Sequence, residues 1–162
     1  MTENIQNIRQ RFIEAAGHMT QSLGAGRALG QVFAYLYFNK DPQSLDDLAK
    51  VLEISKGSAS MTVRQLEQWG ALRRIWIKGD RKDYYEAEDW FGRILKNVLV
   101  DMLGKRISSF TELLEGVERE LATIGPNDGE GEFVKGQIRK LREFQSKTVR
   151  AWENPLVKGL LK

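Results

Sequence analysis

The 162-residue chain contains no cysteine, a single histidine (His18) and only three prolines. Without cysteine there is no disulfide, no thiolate metal site and no thiol redox sensor. One histidine leaves a zinc centre or a histidine-based proton relay without its parts. No metal, no cofactor and no catalytic residue is therefore expected. No apolar run approaches the roughly 20 residues that a membrane span needs, and the N-terminus shows no secretory signal. A cytoplasmic protein with no membrane partner is the expectation. With 41% hydrophobic and 29% charged residues, the composition is not a disordered one. The net charge of +3 permits a polyanionic partner without demanding one.

Apolar side chains at Ile5, Ile8, Phe12, Ala15, Ala16, Met19 and Leu23 repeat at helical spacing, which predicts an amphipathic helix over 4–23. A second, strongly apolar helix is expected over 27–38, ended by Asn39 and the Asp41-Pro42 turn. After Asp89, a candidate cap, a helical stripe runs from Trp90 to about Ile124. Gly104 predicts a kink or break near 104–108. The segment GPNDGEGE at 125–132 reads as a linker, followed by a helix from Phe133 to Trp152 that Asn154-Pro155 stops. The Gly24–Gly30 glycine pattern follows no strand, so it is not a dinucleotide fingerprint. The acidic pairs Asp46-Asp47 and Glu88-Asp89 fit capping and solvent roles.

Ser44–Ala87 is the most informative stretch. SLDDLAKVL is a short amphipathic helix with Asp47 three residues after its candidate cap, Ser44. Glu53-Ile54 make a tight turn, and Ser55 can cap a second helix that Gly70 stops. LRRIWIK and YYEA then read as two strands joined by GDRKD. Two short helices and a basic-tipped hairpin make a winged helix-turn-helix, a unit that enters a major groove and touches flanking phosphate. The expected fold class is thus mainly α with a small β-wing. N-terminal helices (1–38) would lie on the dimerisation and ligand-pocket side, the winged unit would span 39–88, and a helical dimerisation region would span 89–162.

The second helix of that unit starts with small polar residues, as close approach to base edges requires. Its candidate DNA contacts are Ser55, Lys56, Ser58, Ala59, Ser60, Thr62, Arg64 and Gln65. Arg64 or Gln65 is suited to bidentate reading of a purine, Ser58 and Thr62 to phosphate, and Ala59, Met61 or Val63 to a thymine methyl. The same residues on a merely solvated helix would more often be Glu, Lys or Ala. In the wing, Lys78, Arg81 and Lys82 are the candidate phosphate or minor-groove contacts, and one of the Arg residues can instead pair with Asp80 or Asp83. Aromatic residues collect near the junction with the helices. Most of them suit a core, but Tyr35, Tyr37, Trp90 and Phe91 are also candidates to line a ligand cavity, where aromatic faces can hold an organic cation. The helices outside the winged unit carry more apolar stripe than that unit can cover, which points to a two-fold homodimer.

The segments GRALGQVFAYLYF and SLDDLAKVLEISKGSASMTVRQLEQWGALRRIWIKGDRKDYYEA resemble the GbsR branch of the MarR-type winged-helix regulators. The matching features are Gly26-Arg27 with Gly30, Leu36-Tyr37, the SKGSAS helix start, Leu66 with Trp69-Gly70, and the Gly79–Lys82 wing. The resemblance covers about residues 8–95, and the C-terminal third carries no matching motif. It implies a homodimeric transcriptional regulator of double-stranded DNA, usually a repressor, that dimerises through its terminal helices. It also implies release from DNA by a small organic effector; choline sensing is known in the branch, so a choline-like cation is the effector it suggests. Two rival readings remain open on the residues alone. One is a winged-helix protein–protein interaction module without sequence-specific DNA binding; the other is a small-molecule enzyme, disfavoured by the missing cysteine, second histidine and phosphate loop.

Overall fold

A computed structural model describes residues 2–123 and 129–160. The chain forms two compact units, one ending at Asn97 and the other beginning at Val98. The elements are α1 (Thr2–Ser22), α2 (Arg27–Tyr37), β1 (Gln43–Ser44), α3 (Leu45–Val51), α4 (Lys56–Gln68), β2 (Leu72–Ile75), β3 (Tyr84–Ala87), α5 (Phe91–Thr123), α6 (Gly129–Glu153) and α7 (Pro155–Leu160). The expected fold class, mainly α with a small β-wing, is the one observed.

In the first unit, α1 packs on α2, and α2 packs in turn on α4 and β3. The crossing of α1 and α2 explains the Gly24–Gly30 pattern. A Cβ on Gly30 would overlap the Ala16 carbonyl, so only glycine lets the two backbones approach. Thr20 fastens the same crossing. Its hydroxyl accepts from the Gly30 N–H at 3.1 Å and donates to the Gly26 carbonyl at 2.8 Å. Leu29, Val32, Ala34, Leu36, Leu48, Ala59, Val63, Leu66, Leu72 and Tyr85 then bury a continuous apolar interior.

The helix caps follow the residue pattern. Ser44 accepts from the Asp47 N–H, and the Asp47 carboxylate accepts from the Ser44 N–H at 3.0 Å, a complete capping box. Ser55 caps α4 by accepting from the Ser58 N–H at 3.0 Å. Glu53 (φ 54°) and Gly70 (φ 69°) take the left-handed conformation that ends α3 and α4. The sheet is antiparallel in the order β1-β3-β2, with Leu72 opposite Ala87 and Ile75 opposite Tyr84.

Several sequence expectations need correction. The first strand of the hairpin stops at Ile75, so Trp76–Lys78 lie in a loop over 76–83. β3 offers only four residues, and its last partner for β2 is Tyr84. The small strand β1, paired with Tyr84 and Tyr85, carried no sequence signal. Helix α5 runs unbroken through Gly104. The linker expected at 125–132 lies partly outside the described residues, as does Ile124, and its remainder from Gly129 is the first turn of α6. Glu130 and Glu132 in that turn face the positive end of the helix dipole, which favours the helical state.

In the second unit, α5 and α6 are joined by polar ties around the buried Leu114. Gln145 donates to the Thr111 hydroxyl at 2.6 Å, and Arg142 forms a forked ion pair with Glu118. That pairing holds the Glu118 carboxyl below its ordinary value.

Gly30→Ala is expected to destabilise the first unit by about 1–3 kcal/mol through forced overpacking. Gly92→Ala adds a methyl group to open space and is expected to be neutral or slightly stabilising. Thermal unfolding of the two variants beside the parent checks the contrast.

Candidate nucleic-acid interface

The burial of α4 sorts the candidate contacts. Ala59 has no exposed surface and Thr62 is buried, and both face the apolar interior with Val63 and Leu66. These two cannot reach a base or phosphate while the helix stays packed, which corrects the sequence assignment. Val63 is removed as a methyl contact for the same reason. Gln65 is half-buried, and its amide nitrogen is enclosed without a hydrogen-bond partner. Arg64 is therefore the long polar side chain that α4 presents outward in this region. Ser55, Lys56 and Arg64 are exposed, and Ser58 and Ser60 are partly so. Met61, 74% exposed, stands on the same outward face, at the spacing 57, 61, 64, 68.

Charge pairing sorts the cations. Arg73 is held by Glu86 and, at 3.7 Å, by Glu88. Arg74 is held by Glu67 and Asp83 and lies over the Tyr85 ring, which holds its guanidinium above its ordinary pKa, chiefly through the Tyr85 charge. These two belong to the sheet. Asp46 takes two cations, Lys56 at 2.7 Å and Lys82 at 3.5 Å. Its carboxyl is lowered from the usual range, first by the hydrogen bond from Lys56. One carboxylate thus brings the start of α4 and the tip of the wing together. Among the described residues, Arg64, Lys78 and Arg81 enter no ion pair.

The wing loop is built rather than loose. The Asp80 N–H donates to the Ile77 carbonyl at 3.1 Å across a turn whose third residue, Gly79, has φ 91°. The Asp80 carboxylate accepts from the Lys82 N–H at 3.0 Å and from the Tyr84 hydroxyl at 2.7 Å.

The four ligand candidates do not share a site. Tyr37 and Phe91 meet edge to face at 5.3 Å, in a cluster with Phe33 and Phe38 whose rings pack on one another rather than around a gap. Tyr35 lies elsewhere, donating its hydroxyl to the Gln43 side-chain oxygen at 3.2 Å. It borders a polar cavity of about 570 Å³ with Arg9, Ile13, Arg27, Gln31 and Glu53 among its walls. Trp90 is exposed, with the Arg93 guanidinium 4.4 Å over its ring. No group of histidine or acidic residues among the described residues is arranged to hold a metal.

Residues 36–84 match the MarR family. The match spans α3, α4, β2 and the wing loop. The chain is 25% identical over 144 residues to the HTH-type transcriptional repressor OpcR of Bacillus subtilis, covering 86% of this chain and 78% of that protein. It is 21% identical over 137 residues to the repressor GbsR of the same organism, covering 85% and 76%. A crystal structure of a transcriptional regulator shares the fold with a TM-score of 0.55, at 22% identity over 95% of this chain and 99% of that one. Among the described residues no helix is long and apolar enough to cross a membrane.

Because Asp46 occupies two of the cations on this surface, Asp46→Asn is expected to strengthen binding to any duplex several-fold and to steepen its salt dependence. Anisotropy titrations of the variant and the parent from 50 to roughly 200 mM salt check this.

Proposed function

We propose that this protein is a sequence-specific DNA-binding transcriptional regulator, a cytoplasmic homodimer that acts as a repressor and is released by a small organic effector. One observation carries the reading. The packed face of α4 leaves Arg64, Met61 and the serines outward, while Lys78 and Arg81 stand unpaired on the adjoining wing. That combination supports base reading by α4 and backbone anchoring by the wing. The names of OpcR and GbsR point to the same activity and to repression. Such an activity needs no catalytic group.

Exposed apolar stripes support the dimer. On α1, Ile5, Ile8, Phe12 and Met19 are exposed, as is Leu23 just after it. In the second unit, Leu99, Leu103 and Leu113 of α5 and Phe133 and Phe144 of α6 do so as well. A second copy of the chain would cover them and place two α4 helices on half-sites about one helical turn apart, roughly 10 bp or a small multiple. The cavity beside Tyr35 is a candidate place for an effector. The packed aromatic cluster around Tyr37 and Phe91 favours a core role, so a choline-like cation has less support than an organic ligand with polar groups.

Arg64→Ala is expected to relax sequence preference at about 1–3 kcal/mol per lost bidentate contact, whereas Arg81→Ala is expected to weaken all duplexes alike and flatten the salt slope. Binding curves on a duplex selected from a random pool, and on a scrambled one, separate the two. A wing variant that changes base preference while Arg64→Ala does not would reverse these roles, and salt-insensitive binding would support the protein-interaction reading instead. For the effector, linkage requires reciprocity: operator DNA must lower ligand affinity by the factor by which ligand lowers DNA affinity. Calorimetry with choline and with polar organic ligands, with and without the selected duplex, measures both factors. Equal ligand affinity in the two states removes the release mechanism.

A further inference from the structure

Trp76 is 85% exposed, more than any other large apolar side chain among the described residues. An indole can bury on the order of 150–250 Å², so full exposure forgoes a large stabilisation. Ile77 beside it is also exposed. The loop that holds them is fixed by the Ile77–Asp80 turn and by the two hydrogen bonds to the Asp80 carboxylate. Trp76 therefore faces water from a pre-organised position. It is flanked on the same loop by Lys78 and Arg81, neither of which enters an ion pair among the described residues.

An apolar plate set among unneutralised cations suits a partner that is anionic outside and apolar within. A second copy of the chain meeting this loop symmetrically would set Lys78 and Arg81 against their own images, which disfavours it. The ion pairs of Asp46 with Lys56 and Lys82 put the wing on the side where α4 begins. A duplex read by α4 would then bring a flanking minor groove to the wing. There, A·T pairs lack the guanine amino group, and narrow tracts draw in cations. Flexible steps also open easily to an apolar side chain.

We propose that Trp76 is an apolar wedge of the DNA interface, seated in the minor groove beside the half-site that α4 reads, so that the flanking sequence becomes part of the recognised site. The proposal rests on the DNA-binding reading above.

The test compares the full-length parent with Trp76→Ala and Trp76→Phe, on a selected duplex and on versions whose flanks carry A·T, G·C or inosine·C pairs. Inosine removes only the minor-groove amino group. Trp76→Ala is expected to keep the parent's circular dichroism and melting, because the side chain is exposed, and to weaken binding about 10–100-fold. Its salt slope should match the parent's, since no cation is removed. Trp76→Phe should lose less. The parent should prefer A·T and inosine·C flanks over G·C, and Trp76→Ala should lose that preference. Unchanged affinity in Trp76→Ala, or a flank preference that survives it, overturns the wedge while leaving DNA binding by α4 intact. A parent that binds no duplex overturns both readings. Trp76-dependent self-association in sedimentation, or Trp76-dependent binding to phosphatidylserine vesicles with no effect on duplex binding, assigns the side chain to another partner and overturns the proposal.

Discussion

Helix α4 has one apolar seam, and the rest of the interface depends on it. Ala59, Val63 and Leu66 recur at the spacing of one helix face and are buried. Burying a Val or Leu side chain stabilises by about 1.5–3 kcal/mol each. Turning the helix by one residue would expose that seam and force Arg64 or Met61 inward. The rotation is thus fixed by packing against α2 and the sheet, and the outward face follows from it. The glycine crossing at Gly30 serves the same end from behind, since it lets α1 support the helix on which α4 rests.

Electrostatics refines what packing sets. The seven cations from Lys56 to Lys82 lie close in sequence, but they divide into three groups in space. Arg73 and Arg74 brace the sheet, Lys56 and Lys82 share Asp46, and Arg64, Lys78 and Arg81 stay unpaired. Exposed pairs of this kind contribute little to stability. Their consequence is for the proposed DNA binding, in which phosphate would compete with Asp46 for two of the cations. The wing is thereby linked to the start of α4 by an exchangeable contact rather than a packed one.

Much of this was legible in the residues. The caps at Ser44 and Ser55, the helix ends at Glu53-Ile54 and Gly70, and the strand YYEA were all readable because local chemistry decides them. Burial within α4 was less so. Ala59 and Thr62 are small enough to suit either face, and only the tertiary position of α2 selects the inner one. The outward Trp76 was hidden for a similar reason: the Ile and Trp residues of LRRIWIK favour a strand, yet the length of β3 ends the ladder at Ile75. The aromatic ligand set failed as a set because Tyr35 and Tyr37 are two residues apart on a helix and point to different sides. The glycine pattern at 24–30 was set aside as a nucleotide motif, and its packing role appears only once α1 and α2 are seen to cross.

The central claim is that the outward face of α4 and the wing form one DNA-reading surface. The absence of native cysteine makes the direct measurement simple, because a single introduced cysteine gives a unique attachment point for an iron–EDTA cleavage probe. With Ser60→Cys, the probe should cut a selected duplex within each half-site. With Asp83→Cys, it should cut the flanking minor groove just outside. Two symmetric, non-overlapping cleavage windows related in this way are the predicted result. Diffuse cutting from both positions on DNA that is bound, or cutting inside the half-site from the wing and outside it from α4, would contradict the account.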